Sequence, residues 1–288
     1  MGQRVVVVTD SAAMLSAEEA EANRIVVAPL TIIVAGEALR EGEAGTEPAE
    51  VAAALAAKRP VSTSRPAPAE LGLLYQRLAD EGATAVVSVH LSAEMSGTVE
   101  SAQLAARDAP LEVVPVDTRV VGPGLGLAAL AAAQVAAAGG SAEEAAAAAL
   151  ARAGAATTYF YVDTLEYLRR GGRIGPAAAL LGSALAVKPL LAIDEGRVVA
   201  RERVRTSVRA IARLEELAVE AAGSGPVEAW VAHLTSPERA AELRDHLAAR
   251  FGDRLRGEVR SGELPAALAA HVGPGMLAVC VAPAVDDA

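Results

Sequence analysis

Residues 5–11 read VVVVTDS, and this stretch decides the class of fold. Four consecutive β-branched residues with no polar residue between them are typical of a central strand that is covered on both faces. Ser16 and Glu19 then have the spacing of a capping box, which predicts a helix that runs to about Asn23. A buried strand followed by a helix is the repeating unit of proteins with parallel sheets.

The same alternation continues to about residue 120. Further strands are predicted over 25–34, 84–89 and 111–116, and hydroxyl-rich loops over 62–64 and 92–98. Helices are predicted over 46–57, from Pro68 to Glu81, and over 97–107, 125–138 and 141–153. The pattern favours a three-layer α/β/α lobe over residues 1–157, with a mostly parallel sheet between its helical layers.

The pattern changes after residue 157. Asp194-Glu195-Gly196 between two segments predicted as strands, 188–193 and 197–203, predicts a β-hairpin. Further strands are predicted over 159–162, 227–234, 255–260 and 276–282, and helices over 164–170, 206–222 and 236–250. We therefore expect an α/β fold with two lobes, in which residues 158–288 form a second α/β lobe with a mixed sheet.

Composition excludes several classes of protein. Hydrophobic residues make up 52 % of the 288 residues, which is enough for a large core. A net charge of −10 and 2 % aromatic residues argue against nucleic-acid binding, and the single Cys280 excludes an internal disulfide. No signal pattern opens the chain, and the uncharged stretch 120–142 is too rich in Ala and Gly to insert into a bilayer. We expect a cytoplasmic protein without stable membrane insertion.

Common catalytic motifs are missing from the sequence. It has no phosphate-binding loop and no Gly-x-Ser-x-Gly elbow, and its four histidines lack metal-ligand spacing. Gly122, Gly124 and Gly126 lie close together, as in a dinucleotide-binding loop. The Gly-x-Gly-x-x-Gly fingerprint nevertheless fails, because Leu127 occupies the position of its third glycine. We expect neither a metal nor a cofactor.

Two hydroxyl-rich segments remain as candidates for a binding site. Ser62-Thr63-Ser64 and the loop from Ser92 to Thr98 both precede helices, at the expected carboxyl ends of strands. Hydroxyl and backbone N–H groups at such positions bind anions. Helix capping is the alternative explanation for each segment. Asp10 and Asp117 also end strands, as either site residues or turn residues.

A series of motifs resembles the DegV family, the bacterial fatty-acid-binding proteins also called FakB, over nearly the whole chain. The motifs are Thr9-Asp10-Ser11, Thr63-Ser64-Arg65-Pro66, Ser92 to Thr98, Val116-Asp117-Thr118, Asp163 to Ile174, Leu185 to Leu191 and His271 to Gly275. Three positions depart from the family pattern: Arg65 replaces Gln, Ala93 replaces Ser and Met95 replaces Leu.

The resemblance implies a long-chain fatty acid buried between and within the two lobes. It also implies a carrier that presents the carboxylate to a separate fatty acid kinase, which makes the acyl phosphate. Thr63 and Ser96 would bind the carboxylate, with Ser64, Gly97 and His271 as neighbours. We expect neutral donors there rather than a tight salt bridge, and only transient contact with membranes.

Two further expectations concern the walls and the surface. Ala177 to Val187 and Ile25 to Val34 are aliphatic enough to line the pocket, although ordinary core is the alternative. Residues 166–213 carry a net charge of +6, from ten basic and four acidic residues. A basic face of this kind attracts acidic partners. We expect a kinase-docking face at Arg170, Arg173, Arg197, Arg201, Arg203 and Arg205, with a solvated surface as the alternative.

Two other functions compete with the carrier. Ser96 could be the nucleophile of a hydrolase or acyl transferase with His271 or His90 as its base. A sensor of lipids or small molecules with the same fold is the other alternative.

Overall fold

The computed structural model describes residues 4–180 and 188–285. The strands are β1 (Val5–Asp10), β2 (Ile25–Ala28), β3 (Thr31–Val34), β4 (Glu37–Arg40), β5 (Val61–Ser64), β6 (Ala85–His90), β7 (Glu112–Asp117), β8 (Thr157–Tyr161), β9 (Lys188–Asp194), β10 (Arg197–Val204), β11 (Val227–His233), β12 (Arg260–Glu263) and β13 (Leu277–Pro283). The α-helices are α1 (Ala17–Ala22), α2 (Pro48–Ala56), α3 (Pro68–Asp80), α4 (Thr98–Ala106), α5 (Pro123–Ala137), α6 (Ala142–Ala155), α7 (Glu166–Arg170), α8 (Ser207–Ala221), α9 (Pro237–Phe251) and α10 (Ala266–Val272).

The valine run forms the inner strand of a parallel sheet, as predicted. The sheet has the order β2-β1-β6-β7, and all its pairs are parallel. Successive valines point to opposite faces. Val7 packs in the cluster that contains α5 and α6, whereas Val8 packs against Leu71 and Tyr75 of α3. Both valines are buried, so the strand is covered on both faces.

The second sheet is mixed, which confirms the predicted fold class. Its order is β10-β9-β8-β13-β11-β12, with antiparallel pairs except for β11 and β12. The predicted hairpin joins β9 to β10, and Glu195 and Gly196 have φ values of 46° and 78°. Two consecutive residues with positive φ form the tight turn that suits a hairpin.

Five layers result from the stacking of the two sheets. Helices α8 and α9 cover the outer face of the mixed sheet with Leu214, Leu217, Leu243 and Leu247. On its inner face, Trp230 and Cys280 meet Leu127 of α5. Helix α5 also packs against β1, so it lies between the two sheets. The lobe boundary near residue 157 remains a prediction.

A small antiparallel sheet, β4-β3-β5, was not predicted. The expectation of one strand over 25–34 is wrong, because the strand is interrupted at Pro29 and Leu30 and the two halves enter different sheets. The expectation of a loop at 62–64 is also wrong. These residues lie in β5, where Thr63 is opposite Ile32 of β3.

Two differences affect the second lobe. The strand predicted over 255–260 instead begins at Arg260, and it pairs with the end of β11. Helix α10, which packs against α2 and α7, was not predicted, because an Ala-rich segment of seven residues has little helical pattern. None of the described helices has the length and apolarity needed to cross a membrane.

Candidate functional site

A cavity of about 370 Å³ lies where the two lobes meet. Its volume is within the range of roughly 300–1,000 Å³ that is typical of small-molecule sites. The first lobe contributes residues that follow the carboxyl ends of β6 and β7, such as Leu91 and Val121. The second lobe contributes most of the apolar wall. The wall residues from this lobe include Phe160, Ile193, Val198, Leu264, Leu268 and Met276.

The five residues predicted to bind a carboxylate all line this cavity. They are Thr63, Ser64, Ser96, Gly97 and His271. Three separate parts of the fold bring them together: strand β5, the loop between β6 and α4, and helix α10. The structure therefore places them in one site, and their role as ligands of a carboxylate remains a prediction.

His271 bonds directly to Thr63 across 208 positions of sequence. The Nε2 atom of His271 lies 2.8 Å from Oγ1 of Thr63. Its Nδ1 atom is buried and has no hydrogen-bond partner among the described residues. Burial, and secondarily the charge of Arg173, lowers the pKa of His271 to about 4. The imidazole is therefore neutral near pH 7.

Two motifs of the second lobe hold His271 in place. A Cβ atom at Gly171 would lie 2.2 Å from Nδ1 of His271, so only glycine leaves space for the ring. Gly273 has a φ of +75°, and a Cβ atom there would lie 2.0 Å from the ring of Tyr167. The segment that contains Tyr167 and Gly171 thus packs directly on the segment that contains His271 and Gly273.

The loop that carries Ser96 is fixed by local hydrogen bonds. Oγ of Ser96 lies 2.8 Å from Oγ1 of Thr98. The Asp117 carboxylate accepts from the N–H of Ala93 at 3.1 Å and from the N–H of Arg119 at 3.0 Å. Asp117 therefore holds the loop against the end of β7, which gives it a structural role.

Asp10 and His90 form a buried polar network beneath the site. The Asp10 carboxylate accepts from the N–H groups of Ala12 and Leu91, both at 3.1 Å, and bonds Nδ1 of His90 at 2.9 Å. Nε2 of His90 bonds Oγ of Ser88 at 2.7 Å. Both ring nitrogens of His90 are therefore engaged, and neither His90 nor His271 bonds Ser96. The base that a Ser96 nucleophile requires is not in place among the described residues.

Two arginines lie at the polar end of the cavity, where neutral donors were expected. Arg65 donates to the carbonyl of Gly97 at 3.3 Å and forms an ion pair with Glu100. Arg173 donates from Nε to the Met95 carbonyl at 2.9 Å and from Nη1 to the Gly171 carbonyl at 2.6 Å. Arg173, which was expected on the docking face, lines the cavity and bonds residues of both lobes, and its part in docking remains a prediction.

The β9–β10 hairpin closes one side of the cavity. Its turn residue Gly196 accepts a hydrogen bond of 2.8 Å from Oγ of buried Ser92. Arg197 pairs with Glu94 of the first lobe at 2.7 Å, which neutralises a charge assigned to the docking face. Of the other expected docking residues, Arg170, Arg201, Arg203 and Arg205 are exposed and have no ion-pair partner among the described residues.

The expected wall segments contribute little to the described cavity. In 25–34, only Leu30 lines it, because most of this segment packs into the cores around the first and third sheets. Residues 177–180 do not line it, and residues 181–187 lie outside the described part of the chain. In the part of the chain that is described, no group of three or more His, Cys, Asp or Glu is arranged to hold a metal ion.

The fold and the cavity define a two-lobed α/β protein with an apolar pocket and a hydroxyl-rich polar end. Residues 4–284 match the model of the DegV family, which is described as an uncharacterised protein family. A DegV domain-containing protein of Streptomyces coelicolor is 50 % identical over 284 residues, with 98 % of this chain and 99 % of that protein covered. The chain belongs to the DegV family.

Solved structures support the same assignment. A fatty-acid-binding DegV family protein from Thermus thermophilus matches with a TM-score of 0.90 and 33 % identity, over 98 % of this chain and all of the other. DegV from Bacillus subtilis, described as a fatty acid binding protein, matches with a TM-score of 0.88 and 32 % identity, with the same coverage.

Proposed function

We propose that this protein is a cytoplasmic carrier that binds a long-chain fatty acid in the cavity and presents the carboxylate to a separate fatty acid kinase. The observation that carries the proposal is the cavity itself, whose apolar wall ends at Thr63, Ser96 and His271. The descriptions of the Thermus thermophilus and Bacillus subtilis relatives as fatty-acid-binding proteins support the choice of ligand.

The apolar wall supplies most of the binding free energy. Each buried methylene contributes about 0.8 kcal/mol, so ~15 methylenes give roughly 12 kcal/mol before the costs of association. Those costs are several kcal/mol, which leaves a favourable balance. The walls from β8, β9, β10 and α10 are aliphatic except for Phe160, Thr158 and His271, which suits a flexible hydrocarbon chain.

The polar end of the cavity replaces the hydrogen bonds that the carboxylate loses when it leaves water. A buried carboxylate without partners is costly, so it needs donors at the point where the chain leaves the wall. The hydroxyl groups of Thr63 and Ser96 supply them, because a hydroxyl can donate to the carboxylate while its oxygen accepts from its present partner. Ser64, the N–H of Gly97 and the neutral imidazole of His271 surround the same point. Arg173 adds a positive charge nearby, while its own hydrogen bonds to two carbonyl groups keep it from the tight pairing that would bury the carboxylate.

We assign the kinase-docking face to Arg170, Arg201, Arg203 and Arg205. These side chains are exposed in a protein whose net charge is −10, so they form a local exception to its acidic surface. Arg201 and Arg203 alternate along β10, which is an edge strand, and Arg205 directly follows it. An exposed basic strand attracts an acidic partner surface and sets its orientation.

Extraction of the purified protein with organic solvent, followed by mass spectrometry, tests the ligand. We expect a co-purified long-chain acid in about equal molar amount.

The variants Thr63→Ala and Ser96→Ala test the head-group site, and both should bind the acid less tightly and be phosphorylated more slowly. If both match the parent protein, the assignment of these hydroxyl groups is wrong. Covalent labelling of Ser96 by a fluorophosphonate would instead support a hydrolase.

A further inference from the structure

Glu41 lies against the first turn of helix α10 and does not line the cavity described above. Its Oε1 atom accepts a hydrogen bond of 2.9 Å from the N–H of Ala267, in the first turn of α10. Its Oε2 atom accepts a hydrogen bond from the hydroxyl of Ser11. Ser11 belongs to the Thr9-Asp10-Ser11 motif, to which the proposed head-group site gives no direct role.

A closed ring of hydrogen bonds connects Glu41, Ser11 and Leu30 within the first lobe. Oγ of Ser11 accepts from the N–H of Leu30 at 3.0 Å, and the Leu30 carbonyl accepts from the N–H of Glu41 at 2.9 Å. Leu30 directly precedes β3, which pairs with the strand that carries Thr63. The Glu41 carboxylate therefore links the first turn of α10 to the start of β3, the strand that pairs with β5 and hence with Thr63.

The residues joined by Glu41 belong to the wall and the polar end of the cavity. Leu30 and Ala267 both line it. His271 follows Ala267 by four residues, so the two occupy the same face of α10. A displacement of Ala267 would thus move the imidazole away from Oγ1 of Thr63, to which it now bonds at 2.8 Å.

We propose that Glu41 is a positioning residue that holds α10 so that His271 meets Thr63. Its effect on ligand affinity rests on the proposed function, whereas its effect on the His271 ring does not. A helix of seven residues has little stability of its own, so it depends on contacts of this kind. The N–H groups of its first turn have no partner within the helix, and an ionised acceptor forms the stronger type of hydrogen bond with them.

The surroundings of Glu41 make these hydrogen bonds important. Burial raises the pKa of Glu41, and Ser11 and the N–H groups of Ala267 and Ala266 act in the opposite direction. The carboxylate has thus lost much of its water and depends on these donors for compensation. Glu43, by contrast, is exposed and bonds the N–H of Arg40 within its own loop at 3.0 Å. Glu43 is therefore a matched control on the same segment.

The first test follows the His271 ring by NMR in protein with ¹⁵N-labelled histidine. The chain has four histidines, and the variant His271→Gln identifies the signal. In the parent protein, His271 should stay neutral down to about pH 4. In Glu41→Ala, water should reach the ring, and its pKa should rise by about one unit or more. Ser11→Ala should act in the same direction, Glu41→Gln less strongly because it keeps one acceptor, and Glu43→Ala should match the parent.

The second test measures the affinity for a fluorescent long-chain fatty acid. Glu41→Ala should weaken binding by about tenfold, and Glu43→Ala should stay within twofold of the parent. If Glu41→Ala does not fold, Glu41→Gln and Ser11→Ala decide the question. An unchanged His271 titration in all folded variants overturns the inference. If the parent protein binds no fatty acid but the titration moves as described, the proposed function fails and the positioning role of Glu41 stands.

Discussion

The substitution Thr63→Val removes one hydroxyl from the polar end of the cavity and keeps the shape of the side chain. In the parent protein, Oγ1 of Thr63 bonds Nε2 of His271, while Nδ1 of the same ring has no partner among the described residues. The variant leaves the imidazole without a hydrogen bond to a described residue. It also removes one of the two hydroxyl donors that we assign to the carboxylate.

The size of the effect follows from the charge on the ligand. A hydrogen bond to a charged group contributes about 1.5–3 kcal/mol, which is a factor of roughly 10–150 in the dissociation constant. A fatty alcohol of the same length carries no charge, so its affinity should fall by only about threefold to tenfold. The gain per methylene, about 0.8 kcal/mol or roughly fourfold, should be the same in the variant and the parent, because the apolar wall is unchanged.

Displacement of a fluorescent fatty acid by a series of acids and alcohols measures the loss of affinity for the acid, the loss for the alcohol and the gain per methylene. Ser62→Ala is the matched control, because Ser62 is an exposed neighbour on β5 that does not line the cavity. Equal losses for the acid and the alcohol would mean that Thr63 acts on the shape of the pocket rather than on the carboxylate. Full retention of acid affinity in Thr63→Val would refute the assignment.

Four further predictions concern stability, packing and charge. Because the pKa of His271 is about 4 in the folded protein and about 6.5 when unfolded, the unfolded state gains a proton first as the pH falls. Stability should therefore decline between about pH 6.5 and pH 4, by up to about 3 kcal/mol relative to His271→Gln in urea titrations. Gly171→Ala should lower the free energy of unfolding by about 1–3 kcal/mol and displace His271. Gly154→Ala, at a position with open space within α6, should raise it by about 0.5–1 kcal/mol in the same denaturation assay. Asp10→Ala should destabilise the protein by about 3 kcal/mol, because it leaves Nδ1 of His90 and two backbone N–H groups unpaired in the interior; a loss under about 1 kcal/mol would contradict this role. Arg201→Glu should slow phosphorylation with fatty-acid affinity intact, while Arg173→Glu should also lose affinity; equal losses in both assays for Arg201→Glu would indicate misfolding instead of docking.

The parts of the fold with strong local signals were predictable from the sequence. The valine run of β1, the capping box of Ser16 and Glu19 and the Asp194-Glu195-Gly196 hairpin all have signals that neighbouring residues create. The third sheet lacked such a signal. Its strands have four residues each, and Thr63 and Ser64 have the composition of a loop, so the pairing with β3 arises from tertiary contacts.

Residues of the candidate site could be predicted where they belong to a sequence motif. Residues that reach the site only through tertiary contacts could not be predicted. Thr63, Ser96 and His271 were found through family motifs, and the structure brings them to one cavity. The contact of Arg173 with the Met95 carbonyl was not predicted, because nothing local distinguishes this arginine from the others in the same run. Glu41 was missed because its partners lie 30 and 226 positions away in the sequence.

The cavity joins residues that are far apart in the sequence, and this affects when it forms. Its polar end needs Thr63 and His271, which are 208 positions apart. Strand β13 follows α10 and lies between β8 and β11 in the mixed sheet. Because a polypeptide is synthesised from its amino terminus, the parallel sheet of the first lobe exists before the residues that complete the cavity. The cavity therefore forms only after the segment through β13 has been made.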